Sequence, residues 1–131
     1  IFVLAIDDVE ASLKTAQMVK AHYPHLKIYA RARNRMHAYQ LMDLGVTVLM
    51  RETFLSSLEL ARDVLIGLGQ TAAAADEVAR RFRVHDEQLL DKQRAVRHDE
   101  EQLIASTRQA RDELERLFEQ DRAAVKQEDN V

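Results

Sequence analysis

Asp7, Asp8, Arg31, Arg33 and Arg51 are the side chains whose types and places best suit ligand chemistry, because each stands at or just past the end of an apolar run. Asp7-Asp8 closes Phe2–Ile6 (FVLAI), Arg31-Ala32-Arg33 closes Lys27–Ala30, and Arg51 closes Val46–Met50. In open α/β sheets ligands bind outside the carboxyl ends of the strands. A guanidinium there can hold a carboxylate or phosphate through two parallel hydrogen bonds. Carboxylates there can hold a ribose hydroxyl or cap the following helix, and capping is the commoner task. Each arginine also has a plainer reading. Arg51 could pair with Glu52 or Asp43, and Arg31 and Arg33 share a strand face, so one could meet a ligand while the other forms a salt bridge.

These residues need strands and helices behind them. From Val9 to His22, Leu13, Ala16, Val19 and Lys20 recur at helical spacing with Met18 on the flank, and Tyr23-Pro24 stops the run because proline cannot continue the ladder. Asn34 is an N-cap for a helix over Arg35–Leu44. Gly45 falls where a left-handed residue closes it. Val46–Met50 has the continuous apolar character of a buried strand. The order is β-α-β-α-β with short connections, which predicts a parallel sheet with right-handed crossovers. Thr53 is placed to cap a further helix ending near Gly67, with Phe54, Leu58, Ala61, Leu65 and Leu68 along one face.

Beyond Gly69 the composition changes. From Thr71 to about Lys126 there is neither proline nor glycine, and strong helix formers dominate. A seven-residue series runs Ala75, Phe82, Leu89, Val96, Leu103, Ala110, Leu117, but the second seam of a coiled coil is largely missing. This predicts a long, narrowly amphipathic helix, or two with a break near Arg97–Glu101, and a frayed end from Gln127 to Val131. The pattern thus predicts that residues 1–54 form the C-terminal half of a doubly wound, Rossmann-like α/β domain. Residues 55–70 form a linking helix, and residues 71–131 form a helical extension for dimerisation or partner docking.

Several functions are disfavoured. The three glycines, Gly45, Gly67 and Gly69, form neither G-x-G-x-x-G nor a P-loop, so this segment offers no glycine-rich phosphate cradle. There is no cysteine. Residues 1–70 carry a net charge of +1 and residues 71–131 carry −4, with no basic aromatic stripe for nucleic acid. The five histidines show no metal-binding spacing, and Ser56, Ser57 and Ser106 lack a catalytic setting. No apolar run reaches the roughly 20 residues of a membrane span. An apolar first strand left at a sheet edge is an aggregation hazard, which predicts that the rest of the doubly wound domain precedes Ile1 or is supplied by another chain.

Five motifs in order resemble the cytosolic C-terminal KTN (RCK-type, TrkA-N-like) regulatory domain of Kef-type glutathione-gated potassium/proton antiporters. They are Ile6-Asp7-Asp8, the segment Met18–Leu26 (MVKAHYPHL), Ala30-Arg31-Ala32-Arg33, Leu41–Val46, and Arg51–Phe54 (RETF). Ala79-Arg80-Arg81-Phe82 continues the likeness, which covers residues 2–84 well. The resemblance implies a non-enzymatic, homodimeric regulatory module on the cytoplasmic face of the bacterial inner membrane. It would be joined to an upstream transmembrane antiporter domain, with an ancillary oxidoreductase-like subunit as a further partner. It implies closure by glutathione and opening by bulkier glutathione adducts. It also implies a nucleotide of AMP or NAD(H) type, whose glycine-rich loop lies outside this chain; Asp7 and Asp8, from their strand-end place, are the candidate cofactor-side residues. By the same resemblance Arg51 contacts glutathione. The position after Arg-Arg-Phe, often asparagine in the family, is Arg83 here, a departure from the pattern, and the family's third ligand arginine lies upstream of this chain; Arg33 joins the expected ligand set from its strand-end place alone. Competing readings are a nucleotide-binding half-domain of an NAD-dependent oxidoreductase and a dimerisation module without glutathione control.

Overall fold

A computed structural model of the chain describes residues 1–128. It contains two compact units, Ile1–Ser57 and Leu58–Val131. In the first, β1 (Phe2–Leu4), β2 (Ile28–Ala32) and β3 (Val48–Arg51) alternate with α1 (Val9–His22) and α2 (Arg35–Asp43). The strands form a parallel sheet in the order β1-β2-β3, with Leu4 opposite Ala30 and Ala32 opposite Arg51.

Residues alternate across this sheet as strand pleating requires. Leu4, Ile28, Ala30 and Ala32 face a core completed by Ala16 and Val19 of α1, Ala38 and Leu41 of α2, and Val46. Four of these core residues are alanines, so a larger side chain at Ala32 or Ala38 would overpack the site. The other face carries Val3, Tyr29 and Met50, at 71%, 38% and 62% exposure. It is the face a second helical layer covers in a doubly wound domain.

Local signals account for the element ends. Asp8 caps α1 by accepting from Ala11 N–H at 2.7 Å, and Asn34 caps α2 by accepting from His37 N–H at 2.9 Å. Helix α2 closes in a Schellman motif, with Gly45 N–H donating to Met42 O and Val46 N–H to Leu41 O. Gly45 has φ +79°, and Lys20 Nζ reaches its carbonyl at 3.1 Å. Two strands are shorter than their apolar runs. Val46 is consumed by the helix closure, and β1 stops at Leu4, after which the Ala5 carbonyl accepts from Arg31 Nη2.

Helix α3 (Phe54–Gly67) spans the division between the units. Thr53, before it, has φ 60°, an unusual value for a β-branched residue. The Thr53 carbonyl accepts from Ser57 N–H and from the Ser56 hydroxyl. A second Schellman closure ends α3 at Gly69, φ +100°.

In the second unit, Thr71 caps α4 (Ala72–Val96), and Asp99 accepts from Gln102 N–H at the start of α5 (Glu100–Glu128). A single continuous helix is therefore ruled out in favour of two. The break falls at 97–99 without glycine or proline. Gln93 meets Thr107 at 3.2 Å and His85 meets Glu113 at 3.6 Å, so α4 and α5 run antiparallel as a hairpin. Buried Ala75, Leu90 and Ala110 belong to this unit, and the seam absent from each helix alone is supplied by the fold-back. The expected fraying from Gln127 falls largely on positions 129–131, which lie outside the described residues.

Candidate functional site

At the carboxyl ends of β1 and β2 lies an open cleft of about 540 Å³, lined by Asp7, Asp8, Val9, Glu10, Leu13, Arg33 and Gln40. The chain bends from β1 into α1 there, so the Asp7-Asp8 pair reaches the cleft directly. Asp8 uses its carboxylate on the helix N-terminus. Arg33, just past β2, donates from Nη1 to the Asp7 carbonyl at 3.2 Å.

Arg31 ties three strand ends together. Its Nη2 donates to the Ala5 carbonyl at 3.0 Å and pairs with the Asp7 carboxylate. Its Nε lies 3.2 Å from Glu52 Oε1, an ion pair whose N–H is not aligned for a hydrogen bond. Of the two arginines flanking Ala32, Arg31 therefore carries the salt bridges and Arg33 lines the cleft. Glu52, one of the acids considered for Arg51, pairs with Arg31. The Arg51 guanidinium lies over the Phe54 ring, 4.0 Å from its centroid. This cation–π contact holds the fork at the end of β3.

The structure thus brings Asp7, Asp8 and Arg33 around one cleft and puts Arg51 at the end of the neighbouring strand. Arg83 belongs to the second unit, on α4, where its Nε meets Glu87 at 2.8 Å. Nearby, Arg80 and Arg81 hold the exposed Glu77 carboxyl down to about 2. Those two arginines of the Arg-Arg-Phe motif therefore have a partner within their own helix.

In the sequence His37 stands out only as a histidine without a metal-ligand partner. It is buried, with Nδ1 accepting from Arg33 N–H at 3.1 Å and Nε2 facing the Ser12 hydroxyl at 3.1 Å. Burial pushes the imidazole below its ordinary value, and the Glu52 carboxylate offsets part of that shift. The available signal was spacing, since Ser12 precedes Ala16 by four and His37 precedes Leu41 by four, which puts both on buried faces. Among the described residues no cluster of His, Cys, Asp and Glu is arranged for a metal. No helix among them is long and apolar enough to cross a membrane.

Residues 56–131 match the family described as the potassium efflux system KefB C-terminal domain. The chain belongs to that family. Residues 1–52 match the TrkA-N domain, which covers the sheet and its cleft. A solved structure described as the Shewanella denitrificans Kef C-terminal domain in AMP bound form is 40% identical, with a TM-score of 0.70. The match covers 72% of this chain and 60% of that one, so the chain spans about three-fifths of the solved relative. The Kef C-terminal domain is a regulatory KTN-type module of a potassium efflux system, a non-catalytic kind of domain. Its Rossmann-like α/β fold agrees with the sheet described above.

Proposed function

We propose that this chain is the ligand-sensing part of a cytoplasmic regulatory domain gating potassium/proton antiport, held closed by glutathione and opened by its adducts. The observation that carries the reading is the strand-end cleft of Asp7, Asp8 and Arg33 in a chain 40% identical to an AMP-bound Kef C-terminal domain. A nucleotide of AMP type suits that place. The Asp7 carboxylate can accept from ribose hydroxyls, and Arg33 can meet a phosphate. The nucleotide's glycine-rich loop would come from sequence outside this chain.

Glutathione is a small peptide with two carboxylates and one ammonium at neutral pH. The fork of Arg51, held by Phe54, suits one of those carboxylates, and Arg33 is a further candidate contact in the same unit. A gate requires a ligand to bind its two states differently. An adduct with a bulky sulfur substituent can keep the same arginine contact while displacing the Phe54 ring. The exposed apolar residues of α3, including Leu55, Leu60 and Val64, support a homodimeric assembly. The transmembrane antiporter and an ancillary oxidoreductase-like subunit complete the proposed partners.

Calorimetric titration of the full-length protein with AMP, glutathione and an S-substituted glutathione tests this. The two thiol-derived ligands should compete for one site, and Arg51→Ala should weaken both by about 2–5 kcal/mol if the charge pair is desolvated. Unchanged affinity in the variant would remove Arg51 from the site. Binding of AMP alone would leave a nucleotide-responsive module without glutathione control.

A further inference from the structure

His37 stands where α1, α2 and the end of β2, three of the elements that shape the cleft, meet. It belongs to α2, its Nε2 meets Ser12 of α1, and its Nδ1 meets the backbone of Arg33 at the end of β2. Because the Arg33 N–H can only donate, Nδ1 must be the acceptor, which leaves the ring hydrogen on Nε2 for the Ser12 oxygen. Only the neutral ring in this one tautomer satisfies both contacts. A proton on Nδ1 would set two donors against each other inside the core, and the simplest relief is movement of the Arg33 turn.

We propose that His37 is a positioning residue, a neutral-imidazole latch that fixes the Arg33 turn to α1 and so holds Arg33 at the Asp7 end of the cleft. Its protonation frees that turn. The proposal deepens the ligand-site reading above and rests on it for its functional consequence, whereas the latch itself concerns this chain alone.

The surrounding charges agree. Glu52, past β3, is the carboxylate that acts on the ring and favours its protonation. On β2, Arg31 is engaged with Asp7 and Glu52, and Arg33 Nη1 with the Asp7 carbonyl. On α1, Asp8 caps the helix, Glu10 pairs with Lys14, and Lys20 reaches the Gly45 carbonyl. Burial thus works against protonation and Glu52 works for it, so any change in the Arg31–Glu52 pair would be felt at His37. A ligand that drew Arg31 away from Glu52 would favour protonation of the latch.

Nitrogen-detected NMR of the full 131-residue chain across a pH series tests the latch without a ligand. The expected result is an unprotonated Nδ1 and a protonated Nε2 on His37 at neutral pH. His37 should titrate below 6.5, and the Arg33 and Ser12 amides should shift with the same midpoint. In His37→Asn the amide oxygen can replace Nδ1 as acceptor, so the Arg33 amide should keep its neutral-pH position and lose its pH response. A protonated Nδ1 at neutral pH, or an Arg33 amide indifferent to the His37 titration, overturns the proposal even if the variant fails to fold. AMP titration of the full-length protein separates the two claims. A wild type that binds no AMP at any pH defeats the nucleotide-site reading, and the NMR series still decides the latch.

Discussion

Replacing Arg31 with methionine keeps an apolar stem of similar length and removes the fork that joins the ends of β1, β2 and β3. Three contacts are lost: the 3.0 Å hydrogen bond to the Ala5 carbonyl, the pair with Asp7, and the 3.2 Å pair with Glu52. The hydrogen bond contributes about 1 kcal/mol. The Asp7 side chain is 77% exposed and that of Arg31 is 41%, so solvent screening reduces their pair to roughly 0.2–1 kcal/mol. Glu52 is more enclosed but its geometry is poorer, and a similar figure applies. Arg31→Met should therefore cost roughly 1.5–3 kcal/mol in total. The assay is urea unfolding followed by tyrosine fluorescence. Tyr23, Tyr29 and Tyr39 all lie in the first unit and the chain has no tryptophan, so the signal reports that unit. The deficit should shrink in high salt. A double-mutant cycle with Asp7→Asn should return a coupling of about 0.5 kcal/mol. A total loss below about 0.5 kcal/mol would refute the account of Arg31 as the tie between strand ends.

Leu41 is fully buried and also forms part of the Schellman closure. Leu41→Ala should cost about 2–5 kcal/mol by the same unfolding assay. Gly45→Ala should cost about 1 kcal/mol through the positive φ alone, since an added Cβ would meet only the Lys20 side chain, Nζ at 3.6 Å and Cε at 3.9 Å, both ordinary contacts. Gly45→Asn should cost less, because asparagine tolerates that conformation. The depressed His37 imidazole adds stability that is complete above 6.5 and is lost as pH falls from there through its folded value. In His37→Asn, the slope of stability against pH in that window should flatten. An unchanged slope would assign the pH dependence to other groups.

The order of elements was legible because its signals are local. Asp8 and Asn34 cap through hydrogen bonds three residues long, and Gly45 is required where the chain must turn left-handed. Thr71 caps α4 in the same way. The division into two helices was legible only as an alternative, and their antiparallel pairing was not legible at all. A break at 97–99 with no glycine or proline depends on the packing of α4 against α5 over many turns, and polar pairs such as Gln93–Thr107 become visible only when the two helices are side by side. The end of β1 and the start of β3 were overestimated and the ends of β2 and β3 underestimated for a related reason, since apolar character does not reveal that Val46 belongs to a helix closure or that Ala32 and Arg51 pair in the sheet.

For the site, the sequence by itself determined which groups stand at the strand ends, because alternation of apolar runs with helical periodicity puts Asp7, Asp8, Arg31, Arg33 and Arg51 there. Spacing along one strand could not say which arginine is engaged. That depends on the register of β1 against β2 and β2 against β3, which brings Asp7 and Glu52 within reach of Arg31 and leaves Arg33 on the cleft. The role of His37 likewise appeared only in three dimensions. Its hydrogen-bond partners lie on two other elements, and burial, which selects the neutral ring, is a property of the packed core rather than of the chain.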